Sequence, residues 1–330
     1  MFYEFANALA RRGHEVHFVH SPKWQHRVDR VDQISFAFDP AVRHHIVDSP
    51  DDVTLPVGDV RLGFTGPPSL GHPAVLVQGF RLLGPKADES AYRSPTPKVC
   101  VASWLVEVGR FYGVPEHQLV HVPLGLDHEL FAVRKLQTER SIDVAMLYHP
   151  SYQKGWDVGR RVLDELLLRR PGLRAVVVTL ADPPASPLPH GVQLLGLDQR
   201  RLADEVYNEA RVFVQASHHE GFGLTAVESM ACGAALVTTD CGGSRDYAIA
   251  GETAVVVPAG DATLLADGVE RLLDDAEQRI GLASAGARSV HKFDWERSGE
   301  LLEAFLECYV ADPKHYQQSP GEDRSKDYTL

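Results

Sequence analysis

Between residues 142 and 273 the chain alternates short runs of branched apolar residues with helical patterns, and this rhythm restricts the fold more than any other feature. The runs fall at 142–148, 174–180, 192–195, 212–215, 235–238 and 253–257, and the helical patterns at 158–168, 200–208, 224–231 and 262–273. A strand that is apolar at consecutive positions, such as Val212-Phe213-Val214, has to be buried on both faces. Helices on either side of a parallel sheet provide that burial, with right-handed crossovers joining successive strands. A doubly wound α/β domain is expected here.

Residues 1–132 carry a looser version of the same pattern. Phe2, Phe5, Ala6, Leu9 and Ala10 repeat at the spacing of one helix face, and Gly13 offers the left-handed conformation that ends a helix. Polar and apolar residues alternate from Glu15 to His20, as in a half-buried strand at or near a sheet edge. Apolar runs at 74–77, 98–102 and 119–122 read as further strands. Trp104, Leu105, Val108, Phe111 and Tyr112 define a helix between the last two, with Ser103 as its expected N-cap and Gly113 as its stop. A chain of 330 residues exceeds what one core ordinarily supports, so two domains are expected. We place a first α/β domain at 1–135 and a second at 136–294, with the polar stretch 133–140 as linker. A last helix at 295–311, N-capped by Asp294, and a disordered polar tail at 312–330 complete the chain.

Composition narrows the classes of function. Lys and Arg number 33 against 45 Asp and Glu, a net charge of −12, and no Lys/Arg-rich stretch supplies a basic face, so no nucleic-acid partner is expected. No apolar run approaches the ~18 residues of a membrane span. The opening Met1-Phe2-Tyr3-Glu4-Phe5 lacks the basic start of a secretory signal, and a cytoplasmic location is expected. Cys100, Cys232, Cys241 and Cys308 are widely spaced and read as reduced core residues. His44-His45 and His218-His219 put adjacent rings on opposite sides of an extended chain, without carboxylates or thiols at ligand spacing, so no metal site is expected.

The residues that can carry chemistry are concentrated in Glu220-Gly221-Phe222-Gly223-Leu224-Thr225-Ala226-Val227-Glu228, between the run 212–215 and the helix beginning near Leu224. Loops at the carboxyl ends of parallel strands are where such sheets take ligands, and Gly221 and Gly223 let main-chain N–H groups come close to one. A helix N-terminus behind them favours an anion such as pyrophosphate. Glu220 then faces the far end of the ligand, and Glu228 can accept hydrogen bonds from vicinal hydroxyls, as an acidic residue does with ribose in dinucleotide folds. The plainer readings are a solvated helix carboxylate for Glu228 and a charge complementing the helix dipole for Glu220. The Gly-Phe-Gly insert between strand and helix weighs against both.

These residues resemble a known family. His219-Glu220-Gly221-Phe222-Gly223-Leu224 through Glu228-Ser229-Met230-Ala231-Cys232-Gly233, with Asp240-Cys241-Gly242-Gly243 after it, is similar to the Glu-x7-Glu donor signature of the retaining GT-B glycosyltransferases of family 4, the glycosyl transferases group 1. Arg12-Gly13-His14-Glu15-Val16, Val122-Pro123-Leu124-Gly125-Leu126-Asp127, Lys154-Gly155 and Phe293-Asp294-Trp295 resemble that family's lead-in to its second strand, its interdomain segment, its phosphate-binding lysine and its last helix. The resemblance implies a GT-B fold: two Rossmann-like domains facing a cleft, the first binding the acceptor and the second the donor, with the last helix crossing back to the first. It implies Glu220 on the donor sugar hydroxyls and Lys154 on the diphosphate as catalytic residues, and Glu228 on the ribose. Main-chain groups of Gly221, Phe222, Gly223, Leu224 and Thr225 would surround sugar and phosphates, and those of Leu195, Gly196 and Leu197 the base. The implied reaction moves a sugar from a nucleotide-diphosphate sugar to a hydroxyl acceptor (glycan, lipid-linked or small molecule) with retention, without a required metal, cofactor or protein nucleophile.

The sequence departs from the family at several points. His149 stands five residues before Lys154, where an Arg is usual, and a histidine neutral at pH 7 would make diphosphate binding weaker or pH-dependent. Leu124 replaces a frequent Asn. Val77-Gln78-Gly79-Phe80 occupies the place of a frequent His, as in a rhamnosyltransferase-like subset, and Gln78 can hydrogen-bond but cannot act as a base. His219 is assigned to the cleft lining, and Arg245 and Asp246 are either a structural pair or donor-cleft liners. The family's first strand and Gly-rich loop have no counterpart before Phe2, so the first domain is read as incomplete, with impaired stability and activity expected. A nucleotide-sugar-binding protein with little or no transferase activity is therefore the alternative function. A dehydrogenase is a weaker third reading, because no Gly-x-Gly-x-x-Gly opens a strand-helix turn. A lipid-linked acceptor would bring the protein to the inner face of a membrane, for which Arg11 and Arg12 are the only basic pointer.

Overall fold

The computed structural model describes residues 2–20, 39–46, 60–62, 71–80, 85–179, 182–196 and 198–321. The chain divides into two compact units, Met1–Gly125 with Phe293–Leu330, and Leu126–Lys292.

In the first unit the described elements run α1 (Phe2–Arg11), β1 (His17–His20), β2 (Arg43–Ile46), β3 (Val60–Leu62), β4 (His72–Val77), α2 (Pro85–Arg93), β5 (Lys98–Cys100), α3 (Ser103–Phe111) and β6 (Leu119–His121). Strands β3-β4-β5-β6 form one parallel sheet, and β1 pairs with β2, also in parallel. Of the expected face of α1, Phe5, Ala6 and Ala10 are buried, the last two on Val42 beside Val16 and Phe18, whereas Leu9 is half-buried and Asn7 and Ala8 are buried as well; Gly13 follows at φ 92°. Ser103 is not the cap of α3. Ala102 holds the extended cap conformation, without a side-chain cap, and Ser103 is already the first helical residue. The turn out of β5 is short, and Val101 and Ala102 spend it fully buried.

The second unit contains β7 (Ile142–Tyr148), α4 (Trp156–Arg169), β8 (Ala175–Thr179), β9 (Gln193–Gly196), α5 (Gln199–Leu202), β10 (Ala210–Gln215), α6 (Leu224–Ala231), β11 (Ala235–Thr239), β12 (Ala254–Val257), α7 (Ala262–Asp274) and α8 (Ala276–Val290). All six strands are parallel, in the order β12-β11-β10-β7-β8-β9. Val144, Met146 and Val214 on the sheet bury against Val158, Val162 and Leu166 of α4 and Leu265 and Val269 of α7. Chain order runs outward from β7 to β9, then returns to β10 beside β7 and continues to the other edge. The carboxyl ends of β7 and β10 therefore flank the point of reversal, the position at which open α/β sheets bind ligands.

The helix expected at 200–208 is interrupted. After the single turn α5, residues Ala203–Tyr207 form a wide turn in which the Asn208 N–H reaches back five residues to the Ala203 carbonyl, at 3.0 Å. The extra residue lets Val206 and Tyr207 both be fully buried, while the Asn208 side chain accepts from the Arg134 N–H at 2.7 Å.

The last helix, α9 (Trp295–Ala311), belongs to the first unit, and Asp294 caps it by accepting from the Arg297 N–H at 3.0 Å. Trp295 meets Phe5 edge-on at 5.5 Å, and Gly299 lies close enough to Ala8 that a Cβ there would come within 2.9 Å of the alanine methyl. Residues 312–321, the start of the expected disordered tail, lie on this unit. Gln118 donates to the Gln318 carbonyl at 3.0 Å, the Gly321 N–H donates to Gly113 O at 2.7 Å, and Tyr316 packs edge-on to Phe305 and Tyr309. Aromatic burial supplies what the polar composition hid; the rest of the tail lies outside the described residues. Cys100, Cys232 and Cys241 are buried, but Cys308 is exposed, because the inward face of α9 runs through Leu302, Phe305 and Tyr309. Among the described residues no helix is long and apolar enough to cross a membrane.

Candidate functional site

Two loops meet at the reversal of strand order, one leaving β7 and running from His149 to Gly155, the other leaving β10 and running from Ala216 to Gly223. They are fastened to each other. The N–H groups of His218 and His219 both donate to the Gln153 carbonyl, at 2.8 and 3.1 Å. Gly155, at φ 62°, approaches so closely that a Cβ would stand 2.0 Å from the Ala216 carbonyl oxygen. The Tyr152 ring stacks on His218 at 4.5 Å, and His218 Nε2 lies 2.9 Å from Asp157 Oδ1. This seam brings together two residues that the sequence singled out separately.

Lys154 Nζ donates to both carboxylate oxygens of Glu220, at 2.9 Å each. Glu220 is 6 % exposed and its Oε1 also accepts from the Ser217 hydroxyl at 2.8 Å and from Gln215 Nε2 at 3.4 Å. The Gln215 amide is itself aimed, since its oxygen accepts from Thr238 Oγ1 and from the Tyr247 hydroxyl, both at 3.0 Å. A third loop, after β11, holds the main chain of Glu220: its N–H donates to Cys241 O at 2.8 Å and its carbonyl accepts from the Gly243 N–H at 3.2 Å. The acid is thus fixed through side chain and backbone at once.

The glycine turn opens α6. Gly223 is its N-cap at φ 102°, with no side-chain cap, and the N–H groups of Ala226 and Val227 turn back to its carbonyl. A Cβ on Gly223 would lie 2.3 Å from the Tyr247 hydroxyl, so the position demands glycine for space as well as for conformation. Gly221 and Phe222 are buried, the Phe222 ring against Tyr247, whereas Leu224 and Thr225 are half-buried. Thr225 lines a small pocket with Lys154, Gln215, Ser217 and Glu220. An anion seated there would meet the N-terminal N–H groups of α6 and the Lys154 ammonium together.

Glu228, on α6, is 6 % exposed, and its Oε2 accepts from the Tyr207 hydroxyl at 3.1 Å. Burial pushes its carboxyl up to about 7, against the opposing pull of the Tyr207 hydrogen bond and the Lys154 charge. Burial, reinforced by the same carboxylate, drives the Tyr207 phenol well above its ordinary range. His149 is held below its ordinary value, first by burial and then by the charge of Lys154, so it is neutral at pH 7. Its Nδ1 accepts from the Ser151 N–H at 3.1 Å, which leaves the ring proton on Nε2.

The other expected site residues are dispersed. Gly196 ends the edge strand β9, opposite Thr179, and is exposed; Leu197 lies outside the described residues. His219 is half-buried in the seam. Gln78 follows β4 in the first unit, also half-buried. Arg245 forks onto Asp240, at 2.8 and 3.0 Å, beyond the end of β11, and the Asp246 carbonyl accepts from Lys292 at 3.0 Å. Among the described residues no group of three His, Cys, Asp or Glu is placed to hold a metal ion. Sequence reasoning missed Gln215, Ser217, Thr238, Tyr247 and Tyr207. Gln215 and Thr238 carried a signal, as polar residues at the carboxyl ends of otherwise apolar strands; Tyr207 carried none.

Comparison with known proteins adds three findings. Residues 185–288 match the sequence profile of the family described as Glycosyl transferases group 1. The D-inositol 3-phosphate glycosyltransferase of Corynebacterium diphtheriae is 33% identical over 189 residues, covering 52% of this chain and 44% of that protein, so the chain spans less than half the length of this relative. Among solved structures, sucrose-phosphate synthase from Thermosynechococcus elongatus aligns with a TM-score of 0.71 at 17% identity, covering 94% of this chain and 92% of that one. HepE from Anabaena, solved in complex with UDP-glucose, aligns with a TM-score of 0.61 at 16% identity over 73% of each chain. At such identities the likeness is one of fold, the GT-B type of α/β architecture expected from the sequence.

Proposed function

The chain carries a glycosyl transferases group 1 domain at residues 185–288, and from that premise we propose that it moves a sugar from a nucleotide-diphosphate sugar to a hydroxyl acceptor with retention at the anomeric carbon. The observation that carries this reading is the convergence of Lys154, Glu220 and the uncapped start of α6 at the reversal of strand order. A cation and a helix N-terminus suit a diphosphate, and a fixed carboxylate beside them suits sugar hydroxyls. The UDP-glucose bound to HepE supports a donor of this class.

In this reading the diphosphate lies between Lys154 and the N–H groups of Leu224 and Thr225, with Gly221, Phe222 and Gly223 forming the rest of the cradle. Glu220 orients the sugar and Glu228 takes the ribose hydroxyls. His149, neutral, donates from Nε2 to a phosphate oxygen. As the bond from the anomeric carbon to phosphate oxygen breaks, negative charge grows on the leaving diphosphate, where Lys154 and the helix amides stabilise it. The acceptor hydroxyl attacks the same face and passes its proton to the departing phosphate oxygen. This route needs no protein nucleophile and no metal. The main chain at Gly196 serves the base.

The test is to incubate the protein with UDP-, GDP-, ADP- and dTDP-sugars, following thermal stabilisation and release of nucleoside diphosphate. Release by the wild type, lost in Glu220→Gln, is expected. Stabilisation without any release would instead make the chain a nucleotide-sugar-binding protein, and neither response would overturn the reading.

A further inference from the structure

Among the described residues one side chain hydrogen-bonds the Glu228 carboxylate, and it comes from the wide turn before β10. Tyr207 donates to Oε2 at 3.1 Å. Its ring is fully buried, edge-on to Phe213 at 5.4 Å and tilted against Phe131 at 6.2 Å, so the phenol has no freedom to look elsewhere. The backbone is pinned as well, since Arg140 Nη1 donates to the Tyr207 carbonyl at 2.9 Å and the Asn208 side chain is held by the Arg134 N–H. In a regular helix one residue fewer would turn this side chain by about 100°, away from α6. Wide turns of this kind are rare and are found frequently at functional sites.

We infer that Tyr207 is a positioning residue for nucleotide recognition: held by the wide turn, its hydroxyl fixes one oxygen of Glu228 so that the carboxylate is presented to the ribose hydroxyls of a nucleoside diphosphate. This rests on the ribose role proposed above for Glu228. A phenol that donates to the carboxylate favours its ionised form, which is the form that accepts ribose hydroxyls. Burial opposes ionisation here and the Lys154 charge assists it, while Cys232 lies close enough for Glu228 to raise its thiol in turn.

Tyr207→Phe keeps the buried ring and removes only the donor. The experiment measures binding of UDP, ADP, GDP and dUDP, and of inorganic pyrophosphate, to wild type and variant across pH 5.5–8.5. For whichever ribonucleotide the wild type binds, the variant should lose affinity about tenfold near pH 7. The acid limb of its binding curve should move to higher pH, any preference for UDP over dUDP should shrink, and pyrophosphate binding should be unchanged. A merely structural role would lower the melting temperature without moving that limb. If the wild type binds a nucleoside diphosphate and Tyr207→Phe binds it with the same affinity and pH profile, the inference falls and the transferase reading stands. If the wild type binds none of them, both fall.

Discussion

The ammonium of Lys154 stands 2.9 Å from each carboxylate oxygen of Glu220, a residue 66 positions further along the chain. The lysine side chain is about one-third exposed and the carboxylate almost wholly buried. A buried carboxylate depends on its partner more than the partner depends on it. On the proposed reading, a diphosphate finds its cation already in place, held by Glu220.

Replacing Lys154 by Met should act on two quantities that separate. Release of nucleoside diphosphate should fall on the order of 100-fold, as for the loss of one group that stabilises a developing anion. Stability should fall by only about 1–2 kcal/mol, less than for a fully buried pair, because solvent reaches the lysine and screens it. Adding Glu220→Gln to Lys154→Met should restore part of the denaturant midpoint and none of the turnover. A double variant that regained activity would contradict the assigned roles.

The raised carboxyl of Glu228 predicts an unusual slope of stability with pH. Its folded value is about 7 against an ordinary 4.5. Between these values the folded chain keeps a proton that the unfolded chain releases, so this group's contribution is full below pH 4.5 and is lost as the pH rises toward 7. The loss is on the order of 3 kcal/mol by pH 8. Glu228→Gln should gain in denaturation midpoint over the wild type at pH 8 relative to pH 5; the same difference at both would refute the shift.

Gly223→Ala should break the turn. Its φ of 102° strains an alanine by about 1–3 kcal/mol, and the new methyl collides with the Tyr247 hydroxyl. Combining it with Tyr247→Phe removes the 2.3 Å clash but leaves Gln215 Nε2 at 3.0 Å and the backbone strain. The double variant should recover part of the melting temperature lost by the single one, and nucleotide binding should stay weak.

At His149 a permanent charge should strengthen anion binding. The imidazole is neutral at pH 7, while an arginine there would offer charge-assisted hydrogen bonds. His149→Arg should bind inorganic pyrophosphate about tenfold more tightly at pH 8 and low salt, with the gain shrinking as salt rises. Isothermal titration across salt concentrations checks this, and a gain that ignored salt would count against it.

What could be read in the sequence follows from periodicity. The second unit was legible because each strand is apolar at successive positions and each helix has one apolar face; the runs at 142–148, 212–215 and 235–238 lie in or on β7, β10 and β11 almost residue for residue. Glu220 could be nominated because it follows such a strand in a glycine-rich loop, and Lys154 because the resemblance pointed to it and it too follows a strand. That they touch was not legible, since nothing local says which two of six strands flank the reversal. The short β2 and β3 were missed because Arg43-His44-His45-Ile46 and Val60-Arg61-Leu62 carry charged or polar residues and no apolar run. Tyr207 was hidden for another reason: its position depends on one unannounced extra residue in a turn, and Ala203-Asp204-Glu205-Val206-Tyr207 has an ordinary helical composition.

Strands β7 and β10 lie side by side, yet the chain joins them only by the long detour through β8 and β9. The two loops that meet there are fastened to each other rather than to that detour. Lengthening the exposed turn at Pro171-Gly172, between α4 and β8, would leave the lysine and the acid at the same separation. Insertion there is an engineering route the architecture leaves open, with β8 kept in the core beside β7 and Gly196 kept at the end of β9.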